Sequence, residues 1–189
     1  MLGLIASLIG IIYLLLEYRA SVWLWAVGFV MDALYCWIYL DGQFYANAGI
    51  YLYYMAVCLW GGWLWLRRRQ REEAPTCAMP RRGWLWVGMA TAVLTAGLTW
   101  LLGLLGESEL ALLDALTSAA SIVGMVMMAR GYYQQWVVWM VVNPIYVLFN
   151  LLAGLPWMAL MFAVYSVVSV LGYRRWKKLS THNTQRSTP

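Results

Sequence analysis

Trp136, Trp139, Asn143, Tyr146 and Asn150 recur at steps of 3, 4, 3 and 4 residues. On a helix this spacing puts all five on one stripe, roughly 21 Å long at about 1.5 Å per residue. Indole and phenol rings interleaved with carboxamides are suited to holding a flat, polar molecule. An aromatic face also attracts a cation through its quadrupole, by about 0.5–2 kcal/mol per good contact. A flat cationic heterocycle with hydroxyl or amide groups for the Asn side chains fits such a stripe. The register 111 positions earlier reads Trp25, Gly28, Asp32, Tyr35 and Tyr39. Two such stripes face to face, with amide and carboxyl groups at mid-depth, would line a polar slot.

Asp32 has no Lys or Arg inside any apolar run to pair with, and an unpaired carboxylate in hydrocarbon is strongly disfavoured. Either it is protonated and hydrogen-bonded, or it faces a hydrated path that admits a cation. Asp114 poses the same choice about one turn into another run, where Thr117, Ser118 and Ser121 give the helix a polar edge. Catalytic sets are thin. His182, the single histidine, lies in a polar tail, and no metal set, nucleophile–base pair or phosphate-cradling glycine loop is present. No cofactor and no enzymatic activity are expected. Cys36, Cys58 and Cys77 show no metal or disulfide spacing, and the first two sit in apolar runs as small hydrophobes.

The elements that position these residues have to lie in a bilayer. Of 189 residues, 63% are hydrophobic and 11% charged, against roughly 45–50% and about 25% in soluble domains. This excludes a soluble globular enzyme, a nucleic-acid-binding domain, a disordered chain and a barrel with alternating polarity. Apolar runs place seven helices at about 2–18, 21–40, 44–66, 84–105, 109–129, 133–153 and 156–173. Short breaks fall at Arg19-Ala20, Asp41-Gly42-Gln43, Gly106-Glu107-Ser108 and Gly154-Leu155-Pro156, with one long connection over 67–83. The stretch Met1–Leu16 lacks a basic leader segment and reads as an uncleaved first span. Residues 179–189 are polar and expected to be disordered. Trp63, Trp65, Trp84, Trp86 and Trp176, near the ends of runs, are expected in the interfacial belt.

Given seven spans, all thirteen Lys and Arg residues fall on one side, and the other carries Asp41, Glu107 and Glu109. The positive-inside rule then puts the C-terminus in the cytoplasm and the N-terminus outside. The net charge of +5 anchors orientation and implies no nucleic-acid partner.

A shift of 111 positions superposes Ser7 on Ser118, Arg19 on Arg130, Trp25 on Trp136, Tyr35 on Tyr146, Ala48 on Ala159, Tyr54 on Tyr165, Gly61 on Gly172 and Trp65 on Trp176. Asp32 meets Asn143 in the same register. The expected architecture is an all-α polytopic membrane protein with 3+1+3 parallel repeats: residues 1–66, a linker helix at 84–105, and 109–178. Parallel repeats are related by an axis along the membrane normal, and transporters of this kind hold substrate where the repeats meet.

The pattern Trp136-x-x-Trp139-x-x-x-Asn143, with Leu113-Asp114-Ala115-Leu116-Thr117, Met128-Ala129-Arg130 and Leu171-Gly172-Tyr173-Arg174-Arg175-Trp176, resembles the PnuC-type nicotinamide riboside transporters over nearly the whole chain. Phe44-Tyr45-Ala46-Asn47 and Gly61-Gly62-Trp63 are similar more loosely. The resemblance implies a seven-helix fold related to the SWEET sugar transporters, in homotrimers in the bacterial inner membrane. It also implies facilitated diffusion made one-way by phosphorylation of the substrate. Trp136 and Trp139 would stack on a pyridinium ring, and Asn143 would hydrogen-bond the ligand. Tyr146, Asp114, Asn47, Tyr51 and Asp32 complete the candidate substrate-binding set. Tyr51 stands where many members carry glutamine, and Asp32 is not a position the resemblance transfers. Relatives of this fold carry thiamine, and others riboflavin or deoxynucleosides. The segment from Leu16 to Trp25 is similar to thiamine-type members, whereas the tryptophan–asparagine pattern favours nicotinamide riboside. A substrate-binding subunit of a larger transport complex is a further alternative.

Overall fold

The computed structural model describes residues 2–43, 45–71, 73, 75–104, 111–152 and 154–186, apart from the side chains of 2–8, 39, 45–47, 102, 104, 111 and 182–186. Among these residues the fold is all-helical: α1 (Leu2–Tyr18), α2 (Trp23–Asp41), α3 (Tyr45–Gln70), α4 (Gly83–Leu104), α5 (Ala111–Ala129), α6 (Gln135–Leu152) and α7 (Pro156–Arg186). Each covers one of the expected apolar runs. The expected break at Gly106-Glu107-Ser108 lies outside the described residues. Five helices, α3 to α7, are long and apolar enough to cross a membrane; the described apolar stretches of α1 and α2 are shorter, Ile9–Tyr18 and Trp23–Ile38. Helices suit such a chain because hydrocarbon offers no partner to a backbone N–H or C=O. Large apolar side chains accordingly point outward, with Trp37 74%, Trp100 70% and Trp157 80% exposed.

Residues in the left-handed region stop four of the helices: Ala20 (φ 52°), Gln43 (φ 61°), Gly131 (φ 70°) and Gly154 (φ 70°). After α1, the N–H groups of Ala20 and Ser21 donate back to the carbonyls of Glu17 and Leu16, both at 2.9 Å. After α5, Gly131 and Tyr132 donate to Met128 and Met127 at 2.8 and 3.0 Å, and after α6, Gly154 and Leu155 donate to Leu151 and Asn150 at 3.1 and 2.8 Å. These are Schellman caps, which satisfy the last carbonyls of a helix through one left-handed residue. Ala20 is 111 positions from Gly131, and Gln43 is 111 from Gly154.

Two expectations about the polar segments need correction. The tail is not disordered from Leu179, because α7 continues to Arg186. No Gly or Pro interrupts the chain between Tyr173 and Arg186, so no helix breaker stops the helix at the end of its apolar part. The connection over 67–83 is also shorter than expected, since α3 reaches Gln70.

The chain forms two compact units. The first comprises Met1–Cys77, Met128–Gly131 and Arg174–Pro189. Within it α2 packs along α3, and Trp65 and Trp176 form a paired latch. Trp65 Nε1 donates to the Ala129 carbonyl at 3.1 Å, and Trp176 Nε1 to the Glu17 carbonyl at 2.9 Å. Their ring centroids are 5.7 Å apart. At 2% and 0% exposure these two indoles do not belong to an interfacial belt, contrary to expectation: both N–H groups find backbone acceptors inside the protein. Trp63, Trp84 and Trp86 are exposed at 49%, 43% and 69%. The loop is fastened to the same region, with Thr76 Oγ1 donating to the Trp176 carbonyl at 3.1 Å and the Cys77 N–H to the Gly131 carbonyl at 2.8 Å.

The second unit comprises Ala78–Met127 and Tyr132–Tyr173. Met79, Val123 and Met127 form a buried cluster, against which Val87 and Leu94 of α4 pack together with Tyr132 and Val138. Helix α4, expected as a linker, therefore contributes to a core. Apolar side chains on its inner face are placed to cover α5, and burying them is more favourable than leaving the helix apart.

Candidate functional site

Helix α6 carries the aromatic and amide stripe, and α5 and α7 give its side chains their settings. Gly172 of α7 lies beneath Trp136; a Cβ there would come within 2.5–2.7 Å of the indole ring. Trp136 is thus 1% exposed. The backbone of α7 covers one face of the ring. Trp139, one turn on, lies over Gly124 of α5, whose added Cβ would be 3.5 Å from Trp139 Cζ2. It is only partly buried. Its Nε1–H is nevertheless enclosed and meets no acceptor among the described residues. A buried donor without an acceptor is uncommon in folded proteins and calls for an explanation.

One turn further, Asn143 is 6% exposed, and its Nδ2 donates to Ser169 Oγ at 3.2 Å. Ser169 in turn donates to the Tyr165 carbonyl at 2.7 Å. Pro144 follows within the helix, and its missing N–H leaves the carbonyl one turn earlier without its usual donor. Tyr146 stacks on Phe162, centroids 4.9 Å apart at 27°, and Phe162 meets Tyr165 edge-on at 5.9 Å. Asn150 donates to the Tyr146 carbonyl of its own helix at 2.7 Å. Asp114 stands exposed in the first turn of α5, where a negative charge complements the helix dipole. The polar edge beside it is turned inward on the helix. Thr117 donates to the carbonyls of Leu113 and Asp114 at 3.0 Å, and Ser121 to that of Thr117 at 2.8 Å.

The first unit holds Asp32 and Tyr51. Asp32 is 5% exposed, and Cys58 Sγ donates to its Oδ2 at 3.5 Å. Tyr35 stacks on Tyr51, centroids 5.2 Å apart at 21°, and Tyr54 meets Tyr51 edge-on at 6.1 Å. The side chain of Asn47 lies outside the described residues. The candidate residues therefore include two sets, Trp136, Trp139, Asn143 and Tyr146 on α6 and Asp32 with the Tyr35–Tyr51 stack on α2 and α3, and Asp114 belongs to α5.

Sequence reasoning missed the partners: Ser169, Cys58 and Phe162. A signal for all three was present. The 111-residue shift pairs Cys58 with Ser169 and Tyr51 with Phe162, small polar with small polar and ring with ring, which a search for identical residues passes over.

The model of the nicotinamide mononucleotide transporter family matches residues 1–178. The riboflavin/roseoflavin transporter RibM of Streptomyces davaonensis is 27% identical over 182 residues, 92% of this chain and 83% of the relative. The nicotinamide riboside transporter PnuC of Neisseria mucosa is 29% identical over 192 residues, 94% of this chain and 72% of the relative. A crystal structure of the vitamin B3 transporter PnuC aligns with a TM-score of 0.73 at 27% identity, covering 94% of this chain and 80% of that one.

Proposed function

This chain belongs to the nicotinamide mononucleotide transporter family, and from that premise we propose that it carries nicotinamide riboside across the bacterial inner membrane by facilitated diffusion, with phosphorylation in the cytoplasm preventing return. The observation that carries the substrate reading is the α6 turn from Trp139 to Asn143. A part-exposed indole with an enclosed, unused N–H stands one turn from a carboxamide positioned by Ser169. An indole face suits a pyridinium ring, and the two donors suit its carboxamide or the ribose oxygens. In this reading Trp136 is the support on which that turn rests, and Pro144 is the point at which α6 yields as ligand enters and leaves. Asp32, Tyr51, Asn47, Tyr146 and Asp114 complete the proposed substrate-binding set.

The reading includes a duplicated architecture, residues 1–66 and 109–178, on either side of the helix at 84–105 in the chain. The support is geometric: at one offset of 111 residues, left-handed caps, Trp-over-Gly packing, buried polar pairs and stacked rings all recur. The cytoplasmic C-terminus rests on the clustering of Lys and Arg. Riboflavin is the second reading, favoured by the RibM relative, since a flat neutral ring also fits against an indole.

Calorimetric titration of the purified protein with nicotinamide riboside, riboflavin and thiamine tests the choice. Nicotinamide riboside is expected to bind most tightly. Trp139→Ala and Asn143→Ala should each weaken it by about tenfold or more, with the protein still folded. Tighter binding of either other vitamin overturns the substrate, and unchanged affinity in both variants overturns the site. Uptake by proteoliposomes holding this chain alone separates a facilitator, which equilibrates substrate, from a binding subunit, which does not.

A further inference from the structure

The packing between α2 and α3 resembles that between α6 and α7, and one of the differences is a polar pair. Asn143 and Ser169 are neutral, and Ser169 is itself satisfied by the Tyr165 carbonyl. Their counterparts 111 positions earlier are Asp32 and Cys58. A carboxyl has replaced a carboxamide, and its partner is a thiol, a weaker donor than a hydroxyl. Tyr13 of α1 and Cys58 of α3 both lie against Gly28, one turn before Asp32. Among the described residues no Lys, Arg or His forms an ion pair with Asp32. The sequence between Arg19 and Arg67 contains no basic residue at all. A carboxyl enclosed at this depth is costly without a positive partner, so any such partner has to come from outside the chain.

The neighbouring rings supply the rest of a cation site. One turn along α2, Tyr35 lies flat on Tyr51, with Tyr54 edge-on to the pair. Stacked phenol faces beside a buried carboxyl favour a delocalised positive charge. The equivalent position on α6 and α7 has the rings, Tyr146 and Phe162, but no charge. We propose that the Asp32–Cys58 pair is a charge filter, which makes the protein favour flat organic cations over neutral molecules of the same shape. The proposal rests on the reading that nicotinamide riboside is the substrate.

The test uses the purified full-length protein and two ligands that differ in charge but little in shape, nicotinamide riboside and its neutral dihydro form. Calorimetry on the unaltered protein should show the cation bound about tenfold or more tightly. Asp32→Asn should remove most of this preference by weakening the cation far more than the dihydro form. The double variant Asp32→Asn with Cys58→Ser rebuilds the pair that α6 and α7 already use, and so keeps the protein folded; it should behave likewise. A preference that survives in both variants overturns the filter and leaves the substrate reading intact. Equal weakening of both ligands assigns Asp32 a packing role and also overturns the filter. If the unaltered protein binds neither form but binds riboflavin, the substrate reading itself falls, and the filter with it.

Discussion

A side chain added at Gly61 would meet the Trp25 ring at 2.5 Å, and one added at Gly172 would meet the Trp136 ring at 2.5 Å. The α2–α3 and α6–α7 packings share this arrangement, and they share stacked rings about three turns away, Tyr35 on Tyr51 and Tyr146 on Phe162. They differ in two places. The polar pair is acidic in one and neutral in the other. The second difference is an exchange of large and small residues. In the first unit Tyr13 of α1 fills the space over Gly28 of α2, whereas in the second Trp139 of α6 fills the space over Gly124 of α5. Gly28 and Trp139 are equivalent at 111 positions, as are Tyr13 and Gly124. The positions that set the distance between helix backbones are retained, because any added atom there collides. The positions that decide which ring, charge or donor is presented have diverged. A tryptophan with an unused N–H occurs beside the polar pair on α6, and its place on α2 is a glycine.

This comparison can be broken most sharply at the Trp65–Trp176 latch. Trp65→Ala and Trp176→Ala each delete a buried indole and a hydrogen bond to a helix end, and each should cost about 3–5 kcal/mol. Chemical denaturation in detergent measures this, and a large cost at only one of the two would show that the latch is not reciprocal. Smaller effects are expected at the glycines. Gly61→Ala and Gly172→Ala should each destabilise by about 1–3 kcal/mol through overpacking, despite alanine's better helix propensity. Trp25→Phe should relieve the first alone and Trp136→Phe the second alone; cross-relief would contradict the pairing. The smallest effects belong to the helix ends. Ala20→Gly and Gln43→Gly remove the penalty of a side chain in the left-handed region and should each stabilise by about 1 kcal/mol. Gly154→Ala, which meets no atom within 4 Å, should lose about as much, and equal thermal midpoints for all three would refute this account of the caps.

Much of the fold was legible in the sequence. The seven helices follow from hydropathy, since helices in hydrocarbon must be long and apolar. Side-chain settings were harder. Trp65 and Trp176 read as belt residues because their position near the ends of apolar runs is the same whether an indole faces lipid or a neighbouring carbonyl. Trp136 and Trp139 read alike on the stripe, yet Gly172 covers one and Gly124 seats the other with part of its ring open. The difference depends on residues of α7 and α5 that no local pattern connects to α6.

By itself, the sequence determined that this chain is all-helical, with apolar helices of which five are long enough to cross a membrane, and with a stripe of rings and amides on the sixth. Composition, periodicity and identity at a fixed offset are properties of the chain alone, so no neighbour was needed to see them. Only the tertiary structure decided that Trp136 is buried while Trp139 stays partly open, and that Asp32 is held by a thiol where Asn143 is held by a hydroxyl. Those outcomes depend on distances of a few ångströms between helices remote in sequence, and packing sets such distances.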